Sequence, residues 1–129
     1  MKLDHFALYT PDLERMRAFY ETYFGAASNT QYHNPKTGLR TYFLSFEDGA
    51  RLEIMTRPEI TAADPTPMHS GYIHLALTAG DRAAVDALAA RLLADGYPVT
   101  SGPRVTGDGY YECCVLDPDG NTVELVAES

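Results

Sequence analysis

Residues 48–54 read DGARLEI, and residues 119–125 read DGNTVEL. Each is an Asp-Gly pair, two variable residues, an aliphatic, a Glu and another aliphatic. A second pair of stretches precedes them at nearly the same interval: HFAL from His5 and HLAL from His74. An internal repeat constrains a fold more than any local propensity, because each copy has to be the same supersecondary unit. The chain has 129 residues, the size of one ordinary domain, so the two copies have to share it.

The material between the anchors also matches. After the first His stretch, Leu13, Met16, Tyr20, Tyr23 and Phe24 recur at helical spacing, with Thr10 as a cap, Pro11 in the first turn and Gly25 as the stop. After the second, Val85, Leu88, Ala89 and Leu92 form the stripe, Asp81 caps it, and Gly96 and Pro98 end it. Strands are predicted over 27–32, 40–46 and 51–55, then over 99–101, 110–116 and 122–126. NPKTG, EDG, TGDG and DPDG supply the turns between them. Each half therefore reads β-α-β-β-β. The expected organisation is a first module over 1–57, a linker over 58–71 containing Pro58, Pro65 and Pro67, and a second module over 72–129. The fold class is α+β, with a pseudo-twofold pair of mixed sheets, one helix on each, enclosing a cleft.

Period-2 alternation then assigns faces. Leu52 and Ile54, and likewise Val123 and Leu125, point toward the helices, while Glu53 and Glu124 point away. His5 and His74 occupy the same non-helical face of their own strands. An ionised carboxylate facing a semi-enclosed cleft has to be paired or metal-bound. Two imidazoles and two carboxylates suit one divalent ion per site: Zn²⁺, Ni²⁺, Co²⁺, Mn²⁺ or Fe²⁺. His5, Glu53, His74 and Glu124 are accordingly the candidate metal ligands. An octahedral ion held by four protein ligands keeps two positions for neighbouring oxygens of a substrate. His33 and His69 lie in loop-like sequence and read as surface residues.

The net charge of −8 argues against nucleic acid or an anionic membrane as a partner. No stretch approaches the roughly 18 apolar residues of a membrane span, and the N-terminus does not read as a signal peptide. Cys113 and Cys114 are adjacent in a strand and should point to opposite faces, so no mutual disulfide is expected. A reduced, cytoplasmic protein fits best.

At these residues the chain resembles the vicinal oxygen chelate superfamily, which includes glyoxalase I, methylmalonyl-CoA epimerase, extradiol dioxygenases, fosfomycin-resistance enzymes and bleomycin-binding proteins. The resemblance rests on LDHFALYTPDLERMRAFYETYFG, DGARLEIM, YIHLAL and DPDGNTVELV and covers nearly the whole chain. It implies paired βαβββ modules with a metal held by the first and last strands of modules. The His, Glu, His, Glu set is most similar to that of small bacterial glyoxalases I. Epimerase-like members usually have Gln where this chain has Glu53. Extradiol dioxygenases use two His and one Glu, and bleomycin-binding members generally lack the quartet.

The resemblance thus implies proton abstraction next to the carbonyl of a thiol hemithioacetal, with Glu124 as the base and Glu53 as second candidate. The other readings are an epimerase or dioxygenase, or a non-catalytic binder of a small molecule or antibiotic. Glutathione-using members carry a basic residue soon after the first His and an Asn soon after the first Glu; here Tyr9 and Arg57 stand nearby. Tyr9, Arg51, Tyr72 and Tyr111 are candidate substrate contacts, with Tyr42, Tyr110, Arg57 and Arg104 as further pocket candidates. Four ligands split between two modules also fit a homodimer with two equivalent sites.

Overall fold

A computed structural model describes residues 1–62 and 68–129. The chain divides into two compact units, Met1–Asp64 and Pro65–Ser129. Of the segment expected as a linker, residues 63–67, with Pro65 and Pro67, lie outside the described residues.

The first unit runs β1 (His5–Tyr9), α1 (Leu13–Phe24), β2 (Ala27–Ser28), β3 (Tyr32–His33), β4 (Arg40–Ser45) and β5 (Arg51–Thr56). Its sheet has the order β1-β5-β4-β2, with β3 also on β4. β1 and β5 are parallel; the other pairs are antiparallel. The second unit runs β6 (His74–Gly80), α2 (Arg82–Ala94), β7 (Val99–Val105), β8 (Tyr111–Leu116) and β9 (Thr122–Ala127). Its order, β6-β9-β8-β7, repeats the first, and β6 and β9 are again the parallel pair. With the short pieces β2 and β3 counted as one broken strand, both units are βαβββ, and the fold is α+β with two mixed sheets.

Each helix packs on one face of its own sheet. In the first unit Leu13, Met16, Phe19 and Tyr20 of α1 are buried, as are Tyr42, Leu44, Leu52 and Ile54 of the sheet. In the second, Val85, Ala89 and Leu92 are buried with Cys113, Val115, Val123 and Leu125. Each full-sized aliphatic buried this way contributes about 1.5–3 kcal/mol relative to exposure. The helical stripe differs from expectation at one end. Phe19 is in the core, while Tyr23 and Phe24 are half-buried and pack on the Phe19 ring at 5.3 and 5.6 Å between centroids.

Local chemistry accounts for the shifted boundaries. Asp12, not Thr10, caps α1: its side chain accepts from Arg15 N at 3.0 Å. Thr10 is fully buried; its amide donates to Met55 O at 2.8 Å and its hydroxyl accepts from Asp12 N. Pro11 consequently precedes the helix. Asp81 caps α2 as expected, accepting from Ala84 N. The strand expected over 27–32 is two short pieces, because Asn29 replaces ladder pairing. Its Oδ1 accepts from Phe43 N at 2.8 Å and its amide donates to Phe43 O at 3.1 Å. In the second unit β7 extends to Val105 through two register shifts. Gly102 permits this: its φ is +73°, and a Cβ there would lie 2.5 Å from Glu112 O. The DPDGN turn is built by Asp117, 3% exposed, whose Oδ1 accepts from the amides of Asp119 and Asn121.

Candidate functional site

The two recurring motifs meet in space within each unit. Along the parallel β1–β5 pair, His5 lies opposite Arg51 and Ala7 opposite Glu53. Along β6–β9, His74 lies opposite Thr122 and Ala76 opposite Glu124. The Glu is thus one row beyond the His on the same sheet face, the face away from the helix. The residue directly beside each Glu is an alanine, which leaves room over the carboxylate for the imidazole two residues earlier. His5 Nε2 stands 3.9 Å from Glu53 Oε1, and His74 Nε2 stands 3.5 Å from Glu124 Oε2. The Glu side chains are the more enclosed, at 18% and 14% exposure against 36% and 33% for the histidines. An acid in the middle of an apolar strand is explained: its neighbours face the core and it faces a histidine.

Among the described residues, no three His, Cys, Asp or Glu side chains gather into a set that could hold a metal ion. The donors come as pairs, one imidazole and one carboxylate from each unit. In each pair the Nε2 and the carboxylate oxygen converge as two ligands of one ion must. The donor chemistry within each pair, one imidazole nitrogen and one carboxylate, fits a divalent cation.

The surroundings of the two pairs differ. In the first unit, Asp4 Oδ2 lies 2.6 Å from His5 Nδ1 and 2.8 Å from Arg51 Nη2. These contacts, the His5 hydrogen bond first, hold the Asp4 carboxyl below its ordinary value. Phe43, beside Glu53 in the register, packs edge-on to the His5 ring at 5.3 Å and lies under the Arg51 guanidinium at 4.5 Å. In the second unit Cys114 occupies the register position beside Glu124, and Glu112 lies on the same face. Burial raises the Glu124 carboxyl above its usual value; His74 opposes that rise, and Glu112 and Asp108 add to it.

Not every candidate substrate contact joins these faces. Tyr9 follows His5 on the same face of β1, is 51% exposed, and lines an open depression with Arg57, Glu59, Ile60 and Thr61. Arg51 is on the His5 face, but its charge is committed to Asp4. Tyr72 precedes β6 and is 89% exposed. Tyr111 lines an open depression of the second unit with Tyr110 and Arg82. It alternates with Cys113 and Val115 on the helix side of β8, and its hydroxyl donates to Asp86 of α2. Tyr42 does the same in the first unit, donating to Glu14 of α1 at 2.6 Å. Tyr110 is exposed beyond the strand. Arg57 faces Glu59 at 3.6 Å, and Arg104 Nε donates to Ser101. His33 and His69 are exposed, the former in β3 rather than a loop. Cys113 and Cys114 are both free, the first buried and the second half-buried.

Asp4, Phe43, Glu112 and Cys114 were not among the candidates. Alternation applied to β8 would have found Glu112 and Cys114. Asp4 escapes that rule because it precedes the first residue of β1, where strand geometry no longer directs its side chain away from His5.

A family model, described as the Glyoxalase/Bleomycin resistance protein/Dioxygenase superfamily, matches residues 2–125. The chain belongs to this superfamily. An uncharacterized Pseudomonas aeruginosa protein, PA2024, is 33% identical over 95% of this chain and 86% of its own length. Among solved structures, lactoylglutathione lyase from Agrobacterium tumefaciens is 28% identical with a TM-score of 0.69, covering 98% of this chain and 92% of that one. The trypanothione-dependent glyoxalase I of Leishmania major is 23% identical with a TM-score of 0.80, covering 99% and 87%, a likeness of fold. Superfamily membership carries the βαβββ fold and not one reaction. Among the described residues, no helix is long and apolar enough to cross a membrane.

Proposed function

We propose that this protein is a metal-dependent, glyoxalase I-like lyase acting on the hemithioacetal of a small 2-oxoaldehyde and a thiol. One observation carries the reading: a His Nε2 and a Glu carboxylate converge on the same sheet face in both units. His5, Glu53, His74 and Glu124 would hold one divalent ion, Ni²⁺, Zn²⁺, Co²⁺, Mn²⁺ or Fe²⁺. Such an ion supplies Lewis acidity to two adjacent substrate oxygens, which lowers the barrier to removing the carbon-bound proton between them. Glu124 takes that proton as general base and returns it to the neighbouring carbon. Glu53, at the matching position of the first unit, is the second candidate. Their register partners, Ala7 and Ala76, carry only a methyl group beside each carboxylate.

The proposed activity is lactoylglutathione lyase-like, and the screen of thiols described below decides the thiol. Tyr9 and Arg57, which stand near the positions of the basic residue and Asn of glutathione-using members, line one open depression of the first unit. The proposed protein is a cytoplasmic homodimer with no nucleic-acid or membrane partner.

The test is metal content followed by turnover. Untagged protein should carry about one divalent ion per chain. It should isomerise methylglyoxal–thiol adducts in a screen of thiols, and Glu124→Gln should abolish that turnover with the fold intact. Metal uptake with no turnover of any adduct, but oxygen consumption with a catechol or epimerisation of an acyl thioester, would move the protein to another enzyme of the superfamily. No uptake of any of the five ions would leave a small-molecule binder.

A further inference from the structure

We infer that Asp4 is a positioning residue for His5: with Arg51 and Phe43 it locks the imidazole in the tautomer whose Nε2 is free to ligate a metal. This inference rests on the reading of His5 and Glu53 as metal ligands.

The argument begins with proton inventory. An ionised carboxylate accepts hydrogen bonds and donates none. The 2.6 Å contact between Asp4 Oδ2 and His5 Nδ1 therefore puts the imidazole proton on Nδ1. Nε2 is left with its lone pair, and that nitrogen is the one facing Glu53 Oε1 at 3.9 Å. An unconstrained neutral histidine carries its proton mainly on Nε2, the wrong nitrogen for this site. A carboxylate behind a ligating imidazole corrects the tautomer and also raises ligand basicity.

Asp4 is exposed, with 73% of its side chain in solvent, so it needs anchoring. Arg51 supplies that, donating to the same Oδ2 at 2.8 Å. Arg51 is itself held over the Phe43 ring at 4.5 Å. The same ring meets His5 edge-on, at 83° and 5.3 Å. One phenyl group thus fixes both the imidazole and the arginine that holds its carboxylate.

The second unit is an internal control. By register, Thr122 stands where Arg51 stands, Cys114 where Phe43 stands, and Ile73 precedes His74 where Asp4 precedes His5. All three parts of the clamp are replaced together. The device belongs to one half of a repeated site, so the repeat itself does not require it.

The experiment uses the full chain without metal and reads tautomers by long-range ¹H–¹⁵N correlation at pH 8.5, above the ordinary imidazole range. His5 should be protonated on Nδ1 and His74 mainly on Nε2. Asp4→Ala should return His5 to the Nε2–H form. Asp4→Asn, whose amide oxygen still accepts from Nδ1, should keep the wild-type tautomer. Amide spectra establish that both variants are folded. Zn²⁺ alone is then titrated into each protein, and Asp4→Ala should bind it about 10-fold or more weakly than wild type, with Asp4→Asn in between. A wild-type His5 protonated on Nε2, or a tautomer unmoved by Asp4→Ala, overturns the inference whatever the zinc result. Wild-type protein with the expected tautomer but no Zn²⁺ uptake overturns the metal reading, and the inference fails with it; the tautomer spectrum identifies which part failed.

Discussion

The two His–Glu pairs share a plan, and the residues around them differ. In the first unit the imidazole is the well-supported member: His5 is gripped by Asp4, and Phe43 and Arg51 stiffen the grip. In the second unit the carboxylate is set apart. Glu124 is the more enclosed of the two acids, it has Glu112 and Asp108 near it, and burial raises its pKa. A rigid imidazole suits a permanent ligand. Under the proposed mechanism, Glu124 is the group that takes up and returns the proton. A duplicated unit provides two copies of each donor, and the residues beside the donors decide what each copy is good for.

The largest effect expected from this contrast is in catalysis. Glu124→Gln should lower kcat by about 10²–10⁴-fold, the usual range for losing a general base. Glu53→Gln should act mainly through weaker metal binding, and added metal should partly restore it. Equal losses in both variants, with neither restored by metal, would break the division of labour.

A second comparison concerns the cores, which the contrast predicts to be alike. Ile54 and Leu125 are both fully buried at matching strand positions. Ile54→Ala and Leu125→Ala should each destabilise the chain by about 2–5 kcal/mol in denaturant unfolding. If one is far milder, the units do not contribute equally to folding stability.

Much of this was legible in the sequence because it depends on periodicity. The repeat, the helix-facing pairs Leu52/Ile54 and Val123/Leu125, and the His and Glu faces all follow from a period of two or 3.6. What was missed depends on side chains acting outside that period. Asp12 displaced Thr10 as cap because Thr10 was taken up by the end of β5. Asn29 broke a strand by using its own amide oxygen on Phe43. Tyr42 and Tyr111 fall, by alternation within β4 and β8, on the helix side, where each hydroxyl bonds a helix carboxylate. Alternation puts Asp4 on the face opposite His5, and the side chain departs from that because it precedes the first residue of β1.

Smaller effects test particular points of the backbone and the β8 strand. Gly102→Ala should destabilise by about 1–3 kcal/mol, since φ is +73° and the added methyl meets the Glu112 carbonyl. No matching loss is expected on replacing Asn29 of the first unit by Ser, whose shorter side chain removes one hydrogen bond without a clash. On β8, burial pushes the Cys113 thiol up to about 11, so it stays protonated at pH 8 as well as inaccessible. A thiol reagent at pH 8 should label Cys114 first, and Cys113 only with unfolding. Equal labelling rates would mean that the strand's two faces are not as distinct as the alternation requires.

The smallest expected difference compares the two tyrosine bridges. Tyr42 to Glu14 and Tyr111 to Asp86 each tie the third long strand of a unit to its helix, and an arginine lies over each ring, Arg17 or Arg82, at 4.9 Å. The pairs differ in enclosure: Tyr42 is buried and Tyr111 only half-buried. Removing either hydroxyl takes one hydrogen bond from a helix carboxylate, and the bond from the more buried tyrosine is the less readily replaced by water, although Glu14 keeps its contact with Arg17 at 2.8 Å. Tyr42→Phe should therefore cost about 0.5–1.5 kcal/mol, and Tyr111→Phe should shift the unfolding midpoint less. The reverse order would mean that the second unit leans on its helix bridge more than burial implies. Glu14→Gln and Asp86→Asn would then separate the two cases, because an amide still accepts the tyrosine proton while losing the carboxylate charge, which in the first unit also pairs with Arg17 at 2.8 Å. A loss in Asp86→Asn without one in Glu14→Gln would locate the extra dependence in the Asp86 charge rather than in the hydroxyl.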